Sequence, residues 1–583
     1  MPATTEMVAH FVLKLDGSDA PAELAENLAE VVVETNLLLP AMCTAKFYDK
    51  ELRWVDATQL KVGTEIEVQV QASAETESQT IFKGEITALE PEFNQSNVVM
   101  QVRAFDKGHR LHRGRRQANH RQVTDSDLAS KLAQESGLNP TVGSTSEVYE
   151  QIFQNNQTNW ELLQERARRI GFICYVDGDD LHFDEPSSQG QVDLQWGEEL
   201  IQFRPRLSSA GQVTEVIVRG WDPQSKEAIE GRATTGQAQP SIGESASGGE
   251  TTEGAFGSGA KMVLVDRPVH TQGEADRFAQ SIADELSGDY IRAEGQTTGN
   301  ARIKAGTTIN IAAAGDRFNG EYLVTRATHL HAPGKRYTVQ FSVSGRRPLS
   351  VVSLLAESDS TRDSRVPGVV VGIVTNNNDP DGLGRIKVKL PWMSDALESS
   401  WARQAAPMAG SGRGFYYLPE VNDEVLVAFE HNDINYPYII GALWNGQDKP
   451  PEENAKVISS SGEIQQRIIK TRVGHLIILD DSNESPGISI IDKTGKNKIL
   501  IDSSGNKITI VADSDIDMTA SMGKITISGQ QGVEITSTQA VDIKGQTGVN
   551  VKGDAGVKVE SSANVEVKAG AIATIKGSMV NIN

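Results

Sequence analysis

Asp379 and Asp381, followed by Gly382, place two carboxylates two residues apart ahead of a glycine, as a calcium loop does. The other oxygen ligands and the closing glutamate of such a loop are missing, so the segment reads as a turn between two strands. Gly410, Gly412 and Gly414 space their glycines as a phosphate cradle would. No Lys-Ser or Lys-Thr follows and no helix is predicted behind them, which leaves a sharp loop. His329 and His331 share one side of a strand, and a metal there needs a third ligand that the sequence does not bring near. The two cysteines, Cys43 and Cys174, supply neither a disulfide framework nor a zinc spacing. Cys174 sits in an alternating run over 172–176 and reads as a buried strand residue. No catalytic, cofactor-binding or metal-binding residue is assigned on these patterns.

The chain of 583 residues carries a net charge of −22, which argues against nucleic acid as a partner. One stretch runs the other way: Arg103, Lys107, His109, Arg110, His112, Arg113, Arg115, Arg116, His120 and Arg121. No aromatic platform is interleaved with these cations and a helix start follows directly, so the stretch reads as a subunit-facing or solvated surface.

Most of the chain is expected to be β, with few aromatics and many glycines, and its length allows several domains, each with its own core. Period-two alternation predicts strands over 11–15, 31–35, 45–48, 65–70, 81–89 and 98–104, then 307–311, 322–327 and 337–343. Three helices announce themselves by their caps. Thr124 with Asp127 precedes Leu128 and Leu132, Thr158 with Glu161 precedes Leu163 and Ala167 and stops at Gly171, and Thr271 with Glu274 precedes Phe278 and Ile282. The Gly-, Ser- and Thr-rich stretch 233–260 reads as a flexible loop or insertion.

The end of the chain is periodic. From Ile525 an apolar residue returns every eighth place at Val533, Val541, Val549, Val557 and Val565, with Ala573 in the seventh unit. A second follows two places on: Ile527, Ile535, Ile543, Val551, Val559, Val567 and Ile575. The residue between them is always polar, so each unit is a short strand with one apolar side, and a small residue four places after the first marks a corner. Strands this short bury their apolar pair only by stacking. Either three units of one chain make a turn, or three chains wind together and each supplies one face per layer. Five Lys balance five Asp plus Glu from Ile525 onward, which lets strands of several subunits lie side by side without repulsion. Upstream, Ile488, Ile490, Ile499, Ile501, Ile508 and Ile510 continue the pairs with longer turns.

Between these regions lies the most specific pattern. The run Asn376 to Arg385, holding Asp379, Pro380, Gly382 and Gly384, resembles the OB-fold domain of contractile-injection spike proteins. Trp401-Ala402-Arg403, the glycine loop ending at Gly414, Leu418-Pro419-Glu420, the strand over 423–429, and Gly441 to Gly446 with Trp444 extend the match over about eighty residues. Thr471 to Asp481, the hairpin over 177–183 and the helix start at Thr158 extend it more loosely. The chain looks like a member of the VgrG family.

That resemblance implies a tail-hub region with two β-barrel domains and helices over 1–350, a link over 351–365 and an OB-fold over 366–448. A neck over 449–487 and a triple-stranded intertwined β-helix, or β-prism, over 488–583 follow. It implies a homotrimer whose hub mimics sixfold symmetry, docks the inner tube and baseplate proteins, and drives the needle through a target-cell envelope. A PAAR-like tip-capping protein on Asn583 and cargo effectors are further partners it allows. Only about two dozen residues separate OB-fold from needle, and the chain ends just after its last apolar pair, so neither a lysozyme nor a toxin domain is expected. The first residues lack a cationic and apolar leader, so folding in the cytoplasm is expected, followed by assembly into a particle that is exported or released. The family resemblance also fits a type VI secretion spike or a phage tail, with a free extracellular particle favoured. The rivals are a trimeric tail fibre or adhesin, and a single-chain β-helix enzyme acting on polysaccharide, which would be a monomer.

Overall fold

In the computed structural model the described residues are 9–71, 78–95, 97–186, 190–222, 225–236, 240–257, 259–265, 267–344, 365–393 and 397–582. The expected link, apart from Arg365, and the expected cap site at Asn583 lie outside them. The chain divides into two units, Met1–Pro450 and Pro451–Asn583.

Alternation sets the first unit. In Glu65–Gln71 the side chains of Ile66, Val68 and Val70 are buried while their neighbours point outward. Strands His10–Leu15, Leu28–Asn36, Met42–Tyr48, Gln79–Phe93 and Val98–Phe105 follow the same rule. Later strands, Leu200–Leu207, Ile291–Thr298, Arg326–His331 and Thr338–Val343, join them in one sheet of eleven strands. The seam is an antiparallel pair between Leu28–Asn36 and Arg326–His331, where Thr328 faces Glu34 and Leu330 faces Val32. The two barrel-like halves expected from the resemblance therefore share one continuous sheet and one core, from Val33 and Val68 to Ile291 and Val339. The strand expected over 322–327 is two strands, Gly320–Leu323 and Arg326–His331. Val324 and Thr325 turn the chain between sheets, with the Val324 amide bonded to Thr307 and the Thr325 amide to Ser342.

The helices are capped as their sequences dictate. After the short α1 (Ala22–Glu26), α2 (Asp125–Glu135) and α3 (Asn159–Ile170) each start with a complete capping box, at Thr124/Asp127 and Thr158/Glu161. Gly171 ends α3 with φ of 82°, a left-handed conformation that suits glycine. The stretch expected to be a flexible loop is ordered at its centre: Ser247 and Glu250 form a third box and open α4 (Gly248–Phe256). That box fits the same sequence rule, and only the glycine-rich surroundings mask it. The helix α5 (Gln272–Gly288) begins where Thr271 accepts from the Glu274 amide. Two buried ion pairs tie the helices together: Arg166 with Asp125, at 2.6 and 3.1 Å, and Arg169 with Glu274 at 2.6 Å. Both arginines make charge-assisted bonds in place of water, which offsets the desolvation of burying them.

The OB barrel has five strands in the order Lys387–Lys389, Val369–Asn376, Glu424–Phe429, Pro437–Ala442 and Arg403–Gln404. Its core, built on Val374, Ile386, Val388, Val425 and Val427, also takes in Phe153 from the hub strand Tyr149–Gln157. The Phe153 amide donates to Asn435 Oδ1 at 2.9 Å, and the Asn119 side chain donates to the Glu398 carbonyl at 2.9 Å. His270, just ahead of α5, stacks on Tyr436 at 4.3 Å. The barrel is thus packed onto the hub within one unit.

The second unit opens with the short α6 (Asn454–Val457) and a five-stranded antiparallel meander: Gln466–Lys470, Leu476–Asp480, Gly487–Ile491, Lys498–Asp502 and Lys507–Val511. The meander runs without a break across the expected border between neck and needle at 487/488. Among the described residues after Val511 no strand is assigned, and the octads run as a single chain without strand partners.

Candidate functional site

The turns of the meander fix its register. Asp492 accepts from the Asn497 amide and the Thr494 hydroxyl, and Asp502 accepts from the amides of Ser504 and Gly505. With register set, every other residue of each strand falls on the same face. Ile469, Ile477, Ile490, Ile499 and Ile510 stand opposite one another in one column across the five strands. Leu479, Ile488, Ile501 and Ile508 form a second column beside it. These nine side chains are all exposed, from 38% at Ile501 to 66% at Ile508. A soluble sheet does not ordinarily turn such a surface to water.

The octads continue it. The first apolar residues, Ile525, Val533, Val541, Val549, Val557 and Val565, are 51–57% exposed, and the second, Ile527, Ile535, Ile543, Val551, Val559, Val567 and Ile575, are 63–80% exposed. Among the described residues of one chain they all stay more than half exposed. Full burial of an aliphatic side chain contributes about 1.5 to 3 kcal/mol. Half-exposed side chains gain on the order of half that, so the nine of the meander supply roughly 10 kcal/mol per chain if covered. Association costs about 4 to 15 kcal/mol. The meander alone is therefore marginal, and the octad pairs tip the balance firmly toward assembly.

The residues of the OB motif hold each other. Asp379 accepts from the amides of Asp381, Leu383 and Arg385 at 3.1, 3.0 and 3.1 Å, and from the Arg385 guanidinium at 2.7 and 3.0 Å. The Arg385 guanidinium beside it holds the Asp379 carboxyl well below the usual carboxylate range. Both oxygens of the Asp379 carboxylate are thus engaged by donors of the turn itself. Pro380 starts the turn and left-handed Gly382 and Gly384 let it close. Trp401 lies under Lys387 at 5.0 Å and Arg385 at 5.8 Å. The Asn377 side chain donates to the Pro419 carbonyl at 3.1 Å, and the Glu420 amide donates to Asp423 at 2.7 Å. Gly414 closes a two-strand hairpin against Ala409, where an added Cβ would meet the Met408 carbonyl at 2.5 Å. Trp444 stays 70% exposed.

The other candidates resolve in the same way. Lys107 and Lys83 meet Asp179, Arg110 and His109 meet Glu85, Arg115 meets Glu161, Arg116 meets Glu135, and Arg121 meets Glu398. His112 stacks on Trp160 at 5.1 Å. Much of the basic stretch is thus answered within the chain, by acidic residues far away in sequence that no local reading connects to it. His329 is buried, shares a hydrogen bond of 2.6 Å between Nδ1 and the Tyr337 hydroxyl, and is pushed down to about 4 by burial. His331 stacks on Phe11 at 4.0 Å. Burial pushes the Cys43 thiol up to about 12 and raises that of Cys174 as well. Among the described residues no group of three or more His, Cys, Asp or Glu is placed to hold a metal ion. No helix among them is long and apolar enough to cross a membrane.

Sequence reasoning missed the contact between hub and barrel through Phe153. It also missed the exposed run Phe415, Tyr416 and Tyr417 after the glycine hairpin, whose aromatic types were visible but not read as surface.

Residues 9–332 match the family model described as the Alg8 N-terminal domain, and residues 370–444 match that of the Type VI secretion system/phage-baseplate injector OB domain. The chain is similar to the type VI secretion system spike protein VgrG2a of Pseudomonas aeruginosa, 24% identical over 202 residues, covering 31% of this chain and 23% of that protein. It is likewise similar to VgrG1a of the same organism, 25% identical over 267 residues, covering 43% and 39%. The chain spans less than half the length of these curated relatives. Among solved structures it is similar to the lidded Francisella PdpA-VgrG complex, with TM-score 0.53 at 8% identity over 86% of this chain and 80% of that one, a likeness of fold.

Proposed function

The chain belongs to the family of the Alg8 N-terminal domain and is a VgrG-family spike, and from that premise we propose that three copies assemble into the central hub and needle of a contractile, phage-tail-like injection apparatus. The role is structural: the chain transmits work and no bond is made or broken on it. The hub docks the inner tube and baseplate, and the needle opens the target envelope. The observation that carries this reading is the aliphatic face of the meander and octads, exposed in one chain over more than one hundred residues.

Three copies wound about a common axis turn that face inward at every layer. A strand then cannot peel away without breaking its pairing to two other chains, which gives kinetic stability. The Val549→Asp substitution puts three carboxylates into one apolar layer, so it is expected to stop assembly. A tip protein covering Met579, Val580 and Ile582, all exposed, and effectors carried on the spike belong to the same reading. So do folding in the cytoplasm and release in a particle, of which an extracellular one is favoured over a type VI or phage assembly. A trimeric fibre or adhesin has less need of an OB barrel seated on a large hub. Imaging particles that carry a label on this subunit tests the role: the label is expected at the baseplate end, on the axis of the tube, and a label on peripheral fibres contradicts it.

A further inference from the structure

Among the apolar side chains that the described residues of the OB barrel leave exposed, two groups stand apart from each other. The first lies at the hairpin Ala409–Gly414 and the neighbouring turn: Leu383, Met408, Phe415, Tyr416 and Tyr417 are 58%, 46%, 50%, 76% and 61% exposed. These residues are contiguous. The Phe415 amide donates to the Met408 carbonyl at 3.0 Å, the rings of Phe415 and Tyr417 lie 6.2 Å apart, and Tyr416 sits close over Gly384, next to Leu383. The second surface is the outward side of the sheet, where Val369 and Val371 are 52% and 37% exposed and Ile440 is 44% exposed. Val369 and the turn stand at opposite ends of the strand Val369–Asn376, roughly 20 Å apart at 3.3 Å per residue.

We propose that these two surfaces meet across neighbouring copies of the chain, the aromatic hairpin of each barrel covering the Val369–Val371 end of the next. The inference rests on the trimer proposed above and extends it from the needle to the barrel. Two arguments favour a second copy over a foreign protein. A ring closed by threefold rotation needs two different surfaces on every subunit, one to give and one to receive, and the hairpin and the Val369–Val371 end of the sheet supply such a pair. Size points the same way. Five large side chains offer on the order of 600 Å², taking about 200 Å² for each when fully exposed, whereas a self-sufficient interface buries roughly 800 Å² on each partner. Such a patch is too small to hold an independent protein. It suffices between copies already held together by the needle, because tethering replaces the entropy that a free partner gives up.

Hydroxyl-radical footprinting of the purified full chain, with no other protein added and its native mass measured in parallel, tests this. The expected result is a trimer in which Tyr416 and Tyr417 are oxidised at least tenfold more slowly than in the Val549→Asp variant. A trimer whose two tyrosines react as fast as in that variant overturns the contact and leaves the needle reading intact. Protection that appears only when a tube or baseplate protein is added also overturns it, because the patch then belongs to that protein. A monomeric wild-type chain sinks both readings. Should the Val549→Asp variant not fold, the Val371→Cys/Tyr416→Cys variant decides: a short bis-maleimide is expected to join it into covalent trimers while neither single variant is joined. Cys43 and Cys174 are buried and stay out of that reaction. Absence of covalent trimers from a chain that is trimeric by mass overturns the contact.

Discussion

Replacing Asp379 by asparagine keeps the size of the side chain and removes the charge that Arg385 answers. Bonds to a charged group contribute about 1.5 to 3 kcal/mol, and the pair is well shielded, with 3% of the Asp379 side chain and 16% of that of Arg385 exposed. Asp379→Asn is expected to destabilise the barrel by about 2 kcal/mol, read as a lower urea midpoint at unchanged slope. Because the folded carboxyl titrates below its unfolded counterpart, its contribution is complete above the usual carboxylate range and is lost only as pH falls through the lower, folded value. His329 behaves differently. Burial holds its folded pKa at about 4 against 6.5 for an open imidazole, so the folded chain binds fewer protons in between. Stability present above pH 6.5 is therefore expected to decline as pH falls toward 4, by up to roughly 3 kcal/mol, and His329→Gln is expected to flatten that profile in urea titrations. The two histidines and two aspartates that invited metal chemistry were legible as residue types. Their satisfaction by Tyr337, Phe11 and Arg385 was not read from the sequence, although Arg385 lies only six residues from Asp379.

Each octad turns a corner, and two kinds of corner account for five of the seven. In three octads the small residue is a glycine and so is the eighth: Gly529 with Gly532, Gly545 with Gly548, and Gly553 with Gly556. A Cβ on the first of each pair would stand 2.2 to 2.3 Å from the carbonyl oxygen of the second. In two others Ser537 and Ser561 take the first place, each accepting a hydrogen bond from the amide two residues on, and Ala540 and Asn564 close the unit. The seventh octad pairs Gly577 with Val580, and there a Cβ would find nothing nearer than 3.1 Å. The two positions are thus coupled through the backbone. Gly545→Ser alone is expected to lower the thermal stability of the assembled needle, and adding Gly548→Ala to recover most of the loss, a coupling that a double-mutant cycle measures directly. Recovery absent in the double variant contradicts two alternative corners. Sequence reading singled out the small residue and passed over the eighth, because glycine there gives way to alanine, asparagine, isoleucine and valine and looks like noise until the carbonyl is seen. Strands such as Glu65–Gln71 were plain from alternation, whereas their order in the eleven-stranded sheet was not, since the seam joins residues nearly three hundred positions apart. Phe153 escaped notice for the same reason: the core it enters is built from residues far along the chain.

At the scale of the molecule, a hub with a conventional buried core and a tail with none are joined in one polypeptide. The first unit hides its aliphatic residues from Phe11 to Val343, and the second exposes nearly all of those it has beyond Lys470. Octad spacing made the tail legible as something that must stack, yet it left open whether the stack forms within a chain or between chains. Among the described residues the octads of one chain carry no strand pairing with one another. The account therefore stands on association. Native mass spectrometry of the purified chain at nanomolar concentration tests it most directly. The account predicts a particle of three times the 63.0 kDa of one chain that survives dilution, with Val549→Asp reduced to single chains. A wild-type particle of 63.0 kDa with a folded tail contradicts it.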